Sequence, residues 1–422
     1  MKLLLVTNPS FIIEQIDDNE YVFYNSIRHI GCRLSKLEIY ILDMYYTYRD
    51  LDYIITQFKN DFKSTISNTI KKIEELQILS LEPLKFERSK ELPLPSTFYL
   101  HLTYRCNLKC SYCYNRNIRV NNQDELSFDK WKIILNKILP TATQIVLTGG
   151  ECLLYKDILK IVEYIKLHNS KIRVSVISNC MHDFPGRYDN LLSLIDSIDF
   201  SCDSISKVGE RIGFKPELFQ RNIKWIREKY PHLQITIAST ITKENENENS
   251  EISNFCLSHK CQLSKNILIP ETPEDIENMP DIFNQHDIVL SEPGQKQITK
   301  LPGARIRCSA GIETWSIDPK GDVFPCQSLH YDNLNLGNII TSSIQDIISN
   351  RKAILKMPTV DKIPVCSNCN VRYLCGGGCL ATGYNLNNKN FDRNHLTCYL
   401  SRAHSIAKLR NLNNRLDKET NQ

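Results

Sequence analysis

Between residues 97 and 270 the chain alternates two hydrophobic patterns. Short strand-like runs occur at 98–103 (FYLHLT), 144–149 (QIVLTG), 172–178 (IRVSVIS), 198–203 (IDFSCD), 234–239 (QITIAS) and 266–270 (NILIP). Helical stretches such as 127–139 and 155–168 lie between them. Six βα repeats in succession predict an α/β fold with a parallel sheet, closed or partly closed as a (βα)6 TIM-like barrel. Before this region, 11–16 and 21–27 read as two strands joined by a turn at Asp17-Asp18-Asn19. Ser35-Lys36-Leu37-Glu38 has the form of a capping box. It opens a helix with Leu37, Ile41, Met44, Tyr45 and Tyr48 on one face. A short helix over about 50–59 follows, then a third with Ile66, Ile70, Ile73 and Leu76 at helical spacing. Two strands and three helices predict a winged-helix-like unit over 1–81.

Residues 82–96 carry Pro83, Pro93 and Pro95 among charges and read as a linker. The barrel region is expected over 97–300 and a further unit with a C-terminal helix over 301–422. The polar KENENENSE stretch at 243–251 reads as a solvated loop, and 271–305 is too weakly periodic to assign. From 306 to 400 cysteines are dense and regular structure scarce, so metal sites are expected to organise the segment.

Composition then narrows the classes. The chain is 41% hydrophobic and 24% charged with a net charge of +4, ordinary for a globular protein and too weak for a nucleic-acid or anionic-membrane binder. Residues 1–80 hold nine Lys and Arg against eleven Asp and Glu, a net of −2. That argues against DNA binding by the winged-helix-like unit. The opening MKLLLVTNPSF is too short an apolar run for a secretory signal, and no run approaches a membrane span. A cytoplasmic setting is expected, where sixteen cysteines in so long a chain suit metal binding better than disulfides.

Cys106, Cys110 and Cys113 form C-x3-C-x2-C directly after the first strand of the βα series. That is the barrel mouth, where active sites form. Three thiolates hold three irons of a cubane and leave the fourth open, whereas zinc usually takes a fourth ligand and C-x2-C spacing. Thr148-Gly149-Gly150-Glu151 ends the second strand. Its glycines let backbone groups approach a ligand, and its carboxylate can accept from an ammonium. Further on, Cys308-x12-Gly321-x4-Cys326 is followed by Cys366-x2-Cys369-x5-Cys375-x3-Cys379-x18-Cys398.

These motifs resemble the radical S-adenosylmethionine (SAM) superfamily over roughly 95–400, with the C-terminal cysteines resembling the SPASM domain of peptide and protein maturases. The resemblance implies a 4Fe–4S cluster on Cys106, Cys110 and Cys113 whose open iron chelates SAM. One electron then cleaves SAM, and the 5′-deoxyadenosyl radical takes hydrogen from substrate. It implies SAM contacts at Tyr112, Gly149, Gly150 and Glu151, at Ser178 and Asn179, at Ser201 and Asp203, and at Arg211. The usual proline after the glycine-glycine-glutamate motif is Cys152 here. Two auxiliary 4Fe–4S clusters are implied, one on Cys366, Cys369, Cys375 and Cys398, the other on Cys308, Cys326 and Cys379. An eighth cysteine found in some relatives is Pro302 here.

The N-terminal unit resembles the recognition domain of enzymes that modify ribosomally made peptides. Such a domain captures a leader segment by strand addition. The docking surface expected here is the edge near Tyr21 to Ser26 with the helix around Ile66 to Ile73. The implied partners are a precursor peptide and an external flavodoxin- or ferredoxin-type electron donor. The implied product is a crosslink, thioether or epimerised residue. A sulfatase-maturating-type enzyme, a small-molecule modifier and a non-catalytic iron–sulfur scaffold or regulator are the alternatives.

Overall fold

The computed structural model describes residues 3–82, 93–116, 125–245, 249–279, 301, 303–386, 395–413 and 415–416. The first three strands form their own sheet in the order β1-β2-β3. They are β1 (Phe11–Gln15), β2 (Glu20–Asn25) and β3 (Ile30–Ser35), all antiparallel. Only the first two are read from the sequence. IGCRLS does alternate Ile30, Cys32 and Leu34 with Gly31, Arg33 and Ser35, a period-two signal that the two-strand reading passes over, and it pairs with β2 along its length. Three helices follow, α1 (Lys36–Tyr48), α2 (Leu51–Thr56) and α3 (Lys63–Glu75).

The capping box forms as read. The Glu38 backbone N–H donates to Ser35 Oγ at 3.2 Å, and Glu38 Oε2 accepts from the Ser35 N–H at 2.6 Å. Ile41, Met44 and Tyr45 of α1 are buried, as are Ile66, Ile70 and Ile73 of α3, but Tyr48 is exposed. Successive strand residues face opposite sides of a sheet. Phe11 and Phe23 face the helices, while Ile12, Val22 and Tyr24 pack against Leu301, Val371, Leu374, Leu409 and Leu412. The small unit therefore shares a core with the C-terminal region.

The large sheet has the order β11-β10-β8-β7-β6-β4-β12-β13-β14. Its parallel body is β4 (Thr97–Thr103), β6 (Gln144–Gly149), β7 (Arg173–Ser178), β8 (Ser197–Ser201), β10 (Gln234–Ile241) and β11 (Gln262–Ile267). Five of the six runs read from sequence fall on these strands. The sixth lies earlier than NILIP suggests, on the more polar QLSKNI. Between strands run helices such as Phe128–Ile138 and Ile158–His168. Their buried faces, Trp131, Ile134, Leu135 and Ile138 on one and Ile161, Val162 and Ile165 on the other, cover the sheet's outer side.

A short ladder joins β5 (Lys109–Cys110) to β9 (Arg211–Ile212). The sheet then continues into the cysteine-rich region. There β12 (Thr314–Ile317) pairs in parallel with β4, and β13 (Asp322–Phe324) and β14 (Gly337–Asn338) add antiparallel edges. Trp315, Ile317, Val323 and Ile339 join the main core, so this region does not depend on metal alone.

β2 is the central strand of the small sheet, paired on both sides. The expected docking edge near Tyr21 to Ser26 is therefore not free. Residues 83–92 of the expected linker, Pro302, 246–248 of the polar loop and 280–300 of the unassigned segment lie outside the described residues. Among the described residues, no helix is long and apolar enough to cross a membrane.

Candidate functional site

The C-terminal ends of the parallel strands surround a cavity of about 640 Å³. Cys106, Cys110 and Cys113 line it, with Tyr112, Gly149, Gly150, Ser178, Asn179, Ser201 and Arg211. The other two residues singled out from sequence, Glu151 and Asp203, are buried and do not line it.

The loop carrying the three cysteines is held at two places. At its start it meets the glycine turn that ends β6. Gly150 N–H donates to the Thr103 carbonyl at 2.8 Å and Glu151 N–H to the Arg105 carbonyl at 2.8 Å. A Cβ on Gly149 would stand 2.2 Å from the Thr103 carbonyl oxygen, and one on Gly150 would stand 2.3 Å from that of Arg105. Gly149 has φ +139°, open to glycine and strained for other residues. Two glycines are needed because two backbones touch.

The second hold is at Cys110, which pairs with Arg211 in the β5–β9 ladder. Arg211 Nε lies 2.8 Å from Asp203 Oδ2, and its Nη2 donates to Asp203 Oδ1 at 3.1 Å. Its Nη1 is 3.9 Å from Cys110 Sγ, and its guanidinium lies 5.5 Å from the Tyr112 ring centroid. The Tyr112 hydroxyl donates to Asp203, which also accepts the Thr240 N–H at 2.9 Å. Burial pushes the Cys110 thiol up to about 11, while the Arg211 cation pulls it down. That cation thus favours the thiolate, the form in which a cysteine can bind a metal.

Glu151 is a staple between strand ends. Its Oε2 accepts the Asn179 N–H at 2.7 Å and its Oε1 the Leu153 N–H at 3.1 Å, with a further bond from the Ser178 side chain. Burial pushes its carboxyl up to about 7 against these bonds. His182 Nε2 lies 3.7 Å away, but burial holds His182 down to about 4, so it is neutral at pH 7. Asn179, fixed by this staple, sends Nδ2 to Asn107 Oδ1 at 2.7 Å and lies 3.8 Å from Cys106 Sγ. Cys152, in the position of the usual proline, is a core residue whose thiol faces the Ile177 carbonyl at 3.2 Å.

The cysteine-rich region contributes Cys379, Gln327 and Thr382 to the same cavity. Cys308 and Cys379 are charge neighbours of Cys326, whose thiol burial pushes up strongly. Those three thus stand together. Cys366 is buried beside Ile363 and Tyr373, while Cys369 and Cys375 pack beside Val371, Leu374 and Leu409. Cys398 lies on the helix His395–Arg410, which packs on the turn Arg372–Cys375. Gly376, Gly377 and Gly378 all have positive φ. This left-handed run swings the chain between Cys375, beside the small unit, and Cys379, in the cavity.

Sequence reasoning missed several supports. Asn115 donates to the Gly149 carbonyl at 3.3 Å, and Glu210 accepts from Ser111, Thr242 and Asn278 at 2.8, 2.5 and 2.7 Å. Arg116 pairs with Asp275 on the helix Pro273–Glu277. Asn115 could have been found from its place two residues past Cys113. The others come from distant parts of the chain.

All-thiolate donors suit iron–sulfur clusters, and three of them on an open cavity wall leave room for a ligand at a fourth corner. Among the described residues, no three of His, Cys, Asp and Glu converge on one ion-sized point.

Comparison with known proteins agrees. Residues 100–256 match the model of the radical SAM superfamily, and 308–370 match the SPASM iron–sulfur cluster-binding domain. The chain is 27% identical over 296 residues to the sporulation killing factor maturation protein of Bacillus subtilis, covering 63% of this chain and 68% of that one. It is 24% identical to the mycofactocin maturase of Mycolicibacterium smegmatis over 71% of this chain and 81% of that one. In fold it is similar to Streptococcus suis SuiB bound to the precursor peptide SuiA, with TM-score 0.56, 14% identity and coverage of 92% and 99%.

Proposed function

We propose that this chain, which belongs to the radical SAM superfamily and carries a SPASM iron–sulfur domain, modifies a ribosomally made precursor peptide by hydrogen abstraction. The observation that carries this reading is the shared cavity. Three thiols, the glycine turn and the ends of β7 and β8 meet Cys379 of the SPASM domain around one space. Relatives named as a maturation protein, a maturase and a peptide cyclase support it. A cluster on Cys106, Cys110 and Cys113 would supply the electron that cleaves SAM, and the resulting radical would take hydrogen from the peptide. The chain's own residues hold that chemistry in place. Gly149 and Gly150 offer backbone groups to SAM, and Ser178, Asn179, Ser201 and Tyr112 line its bed. Arg211 faces it, with Asp203 orienting the guanidinium and Glu151 fixing Asn179.

Two auxiliary clusters belong to the same reading, one on Cys308, Cys326 and Cys379, the other on Cys366, Cys369, Cys375 and Cys398. The small unit, of winged-helix kind, would recognise the peptide. A flavodoxin- or ferredoxin-type donor would deliver electrons in the cytoplasm. The test is anaerobic incubation of reconstituted protein with SAM and reductant. The wild type is expected to form 5′-deoxyadenosine, and the variant with Cys106, Cys110 and Cys113 all changed to Ala is expected to form none. Equal formation by both would overturn the assignment.

A further inference from the structure

The outer edge of β3 is not bare. Backbone of the C-terminal segment lies along it, with Arg33 and Arg415 bridged in parallel and the Leu416 N–H donating to the Arg33 carbonyl at 3.3 Å. Arg33 adds side-chain bonds, from Nε to the Leu412 carbonyl at 2.6 Å and from Nη2 to the Arg410 carbonyl at 3.3 Å. Both ends are held by charge. Arg410 Nη2 meets Glu14 Oε2 at 3.0 Å, and Arg415 pairs with Glu20, which also binds Arg33 at 2.7 Å. Two leucines anchor the segment. Leu412 is fully buried against Val22 and Tyr24. Leu416 is 3% exposed and lines a groove of about 420 Å³ with Glu38, Asn68, Thr69 and Lys72.

An exposed strand edge is a template for any extended chain. We propose that Leu412, Asn413, Arg415 and Leu416 belong to an internal ligand of this edge. They hold it closed until an extended peptide of like chemistry displaces them. The contacts define that chemistry: an apolar residue for the Leu416 position and a basic residue immediately before it, opposite Glu20. A partner lacking the basic residue leaves Glu20 with Arg33 alone. The inference rests on the peptide-modifying reading, since it names how that peptide gains entry. A tethered segment acts at an effective concentration on the order of mM, so a free peptide must bind more tightly than the segment does or meet it already open.

The test uses a fluorescein-labelled peptide of residues 410–418 as the probe. It is titrated into the full chain, a chain ending at residue 413, and full-length Arg415→Glu/Leu416→Asp, which opens the groove without truncation. The opened proteins are expected to bind the probe at least about tenfold more tightly than the full chain. A probe with Leu416→Asp is expected to lose that gain. Probe binding to both opened proteins no tighter than to the full chain would overturn the inference. 5′-Deoxyadenosine formation, measured on the same three proteins, reports separately on the underlying reading.

Discussion

At the residue scale the site depends on buried charges that hold backbone and thiols in place. Glu151 titrates near 4.5 when unfolded and about 7 when folded, because burial outweighs its hydrogen bonds. For a raised carboxyl the stabilising contribution is complete below pH 4.5 and is lost as pH rises through 7. The loss is roughly 3 kcal/mol, at about 1.4 kcal/mol per pH unit. Glu151→Gln removes the titration. Urea unfolding should therefore show wild type losing that much relative to the variant between pH 4.5 and 7.5, and a pH-independent difference would refute the role. Arg211 and Asp203 make the second test. Removing one partner of a buried pair leaves an uncompensated charge, at about 3–5 kcal/mol. Arg211→Met should lower the melting point and the iron retained at Cys110. Adding Asp203→Asn should recover part of the stability. If the double variant melts below the single, the pair is not the support described.

Sequence identified most of these side chains but not their work. Glu151 and Asp203 read as ligand contacts because carboxylates at strand ends point that way. Both lie behind the cavity, held by N–H groups of Leu153, Asn179 and Thr240. Such partners come from neighbouring strand ends and leave no local mark on the chain.

At the scale of elements the glycine turn is the tightest joint. It brings the end of β6 against the chain leaving β4, with backbone on both sides. No flexible side chain can yield to a new Cβ there. Gly150→Ala should destabilise by at least about 2 kcal/mol, in the range of overpacked cores or beyond. It should also displace the loop of Cys106, so a wild-type melting point and full iron content would contradict the geometry. Legibility followed length and pattern. Five parallel strands of five residues or more were read correctly, because their apolar runs stand out between helices. β11 was misplaced because the edge strand QLSKNI is more polar than the NILIP that overlaps its end. β12 was missed because four residues, TWSI, gain strand character only by pairing with β4, more than two hundred residues away.

At the scale of the whole molecule, the three units are joined by shared cores. The sequence, with prolines between residues 82 and 96, suggests a recognition unit on a tether. Instead Ile12, Val22 and Tyr24 bury Leu409 and Leu412 of the C-terminal segment, with Val371 and Leu374 beside Cys369 and Cys375. Long-range packing of this kind is invisible to periodicity, because each face looks like an ordinary amphipathic surface. Deleting residues 1–81 therefore does more than remove a docking site. It exposes five apolar side chains, Leu301, Val371, Leu374, Leu409 and Leu412, each worth roughly 1.5–3 kcal/mol when fully buried. It also frees the helix that carries Cys398 from its support. With the three cubane clusters proposed above, the fully reconstituted chain should hold about twelve irons. The deletion should hold about eight, the loss falling on the group of Cys366, Cys369, Cys375 and Cys398. Cleavage of SAM should survive, since the loop of Cys106 to Cys113 is braced by β6 and β9 and, among the described residues, not by the small unit. Iron analysis and 5′-deoxyadenosine formation on one preparation check both halves. Twelve irons and an unchanged melting point would return the small unit to the status of a tethered module. Loss of SAM cleavage with all iron retained would mean that it braces the barrel by a route these contacts do not include.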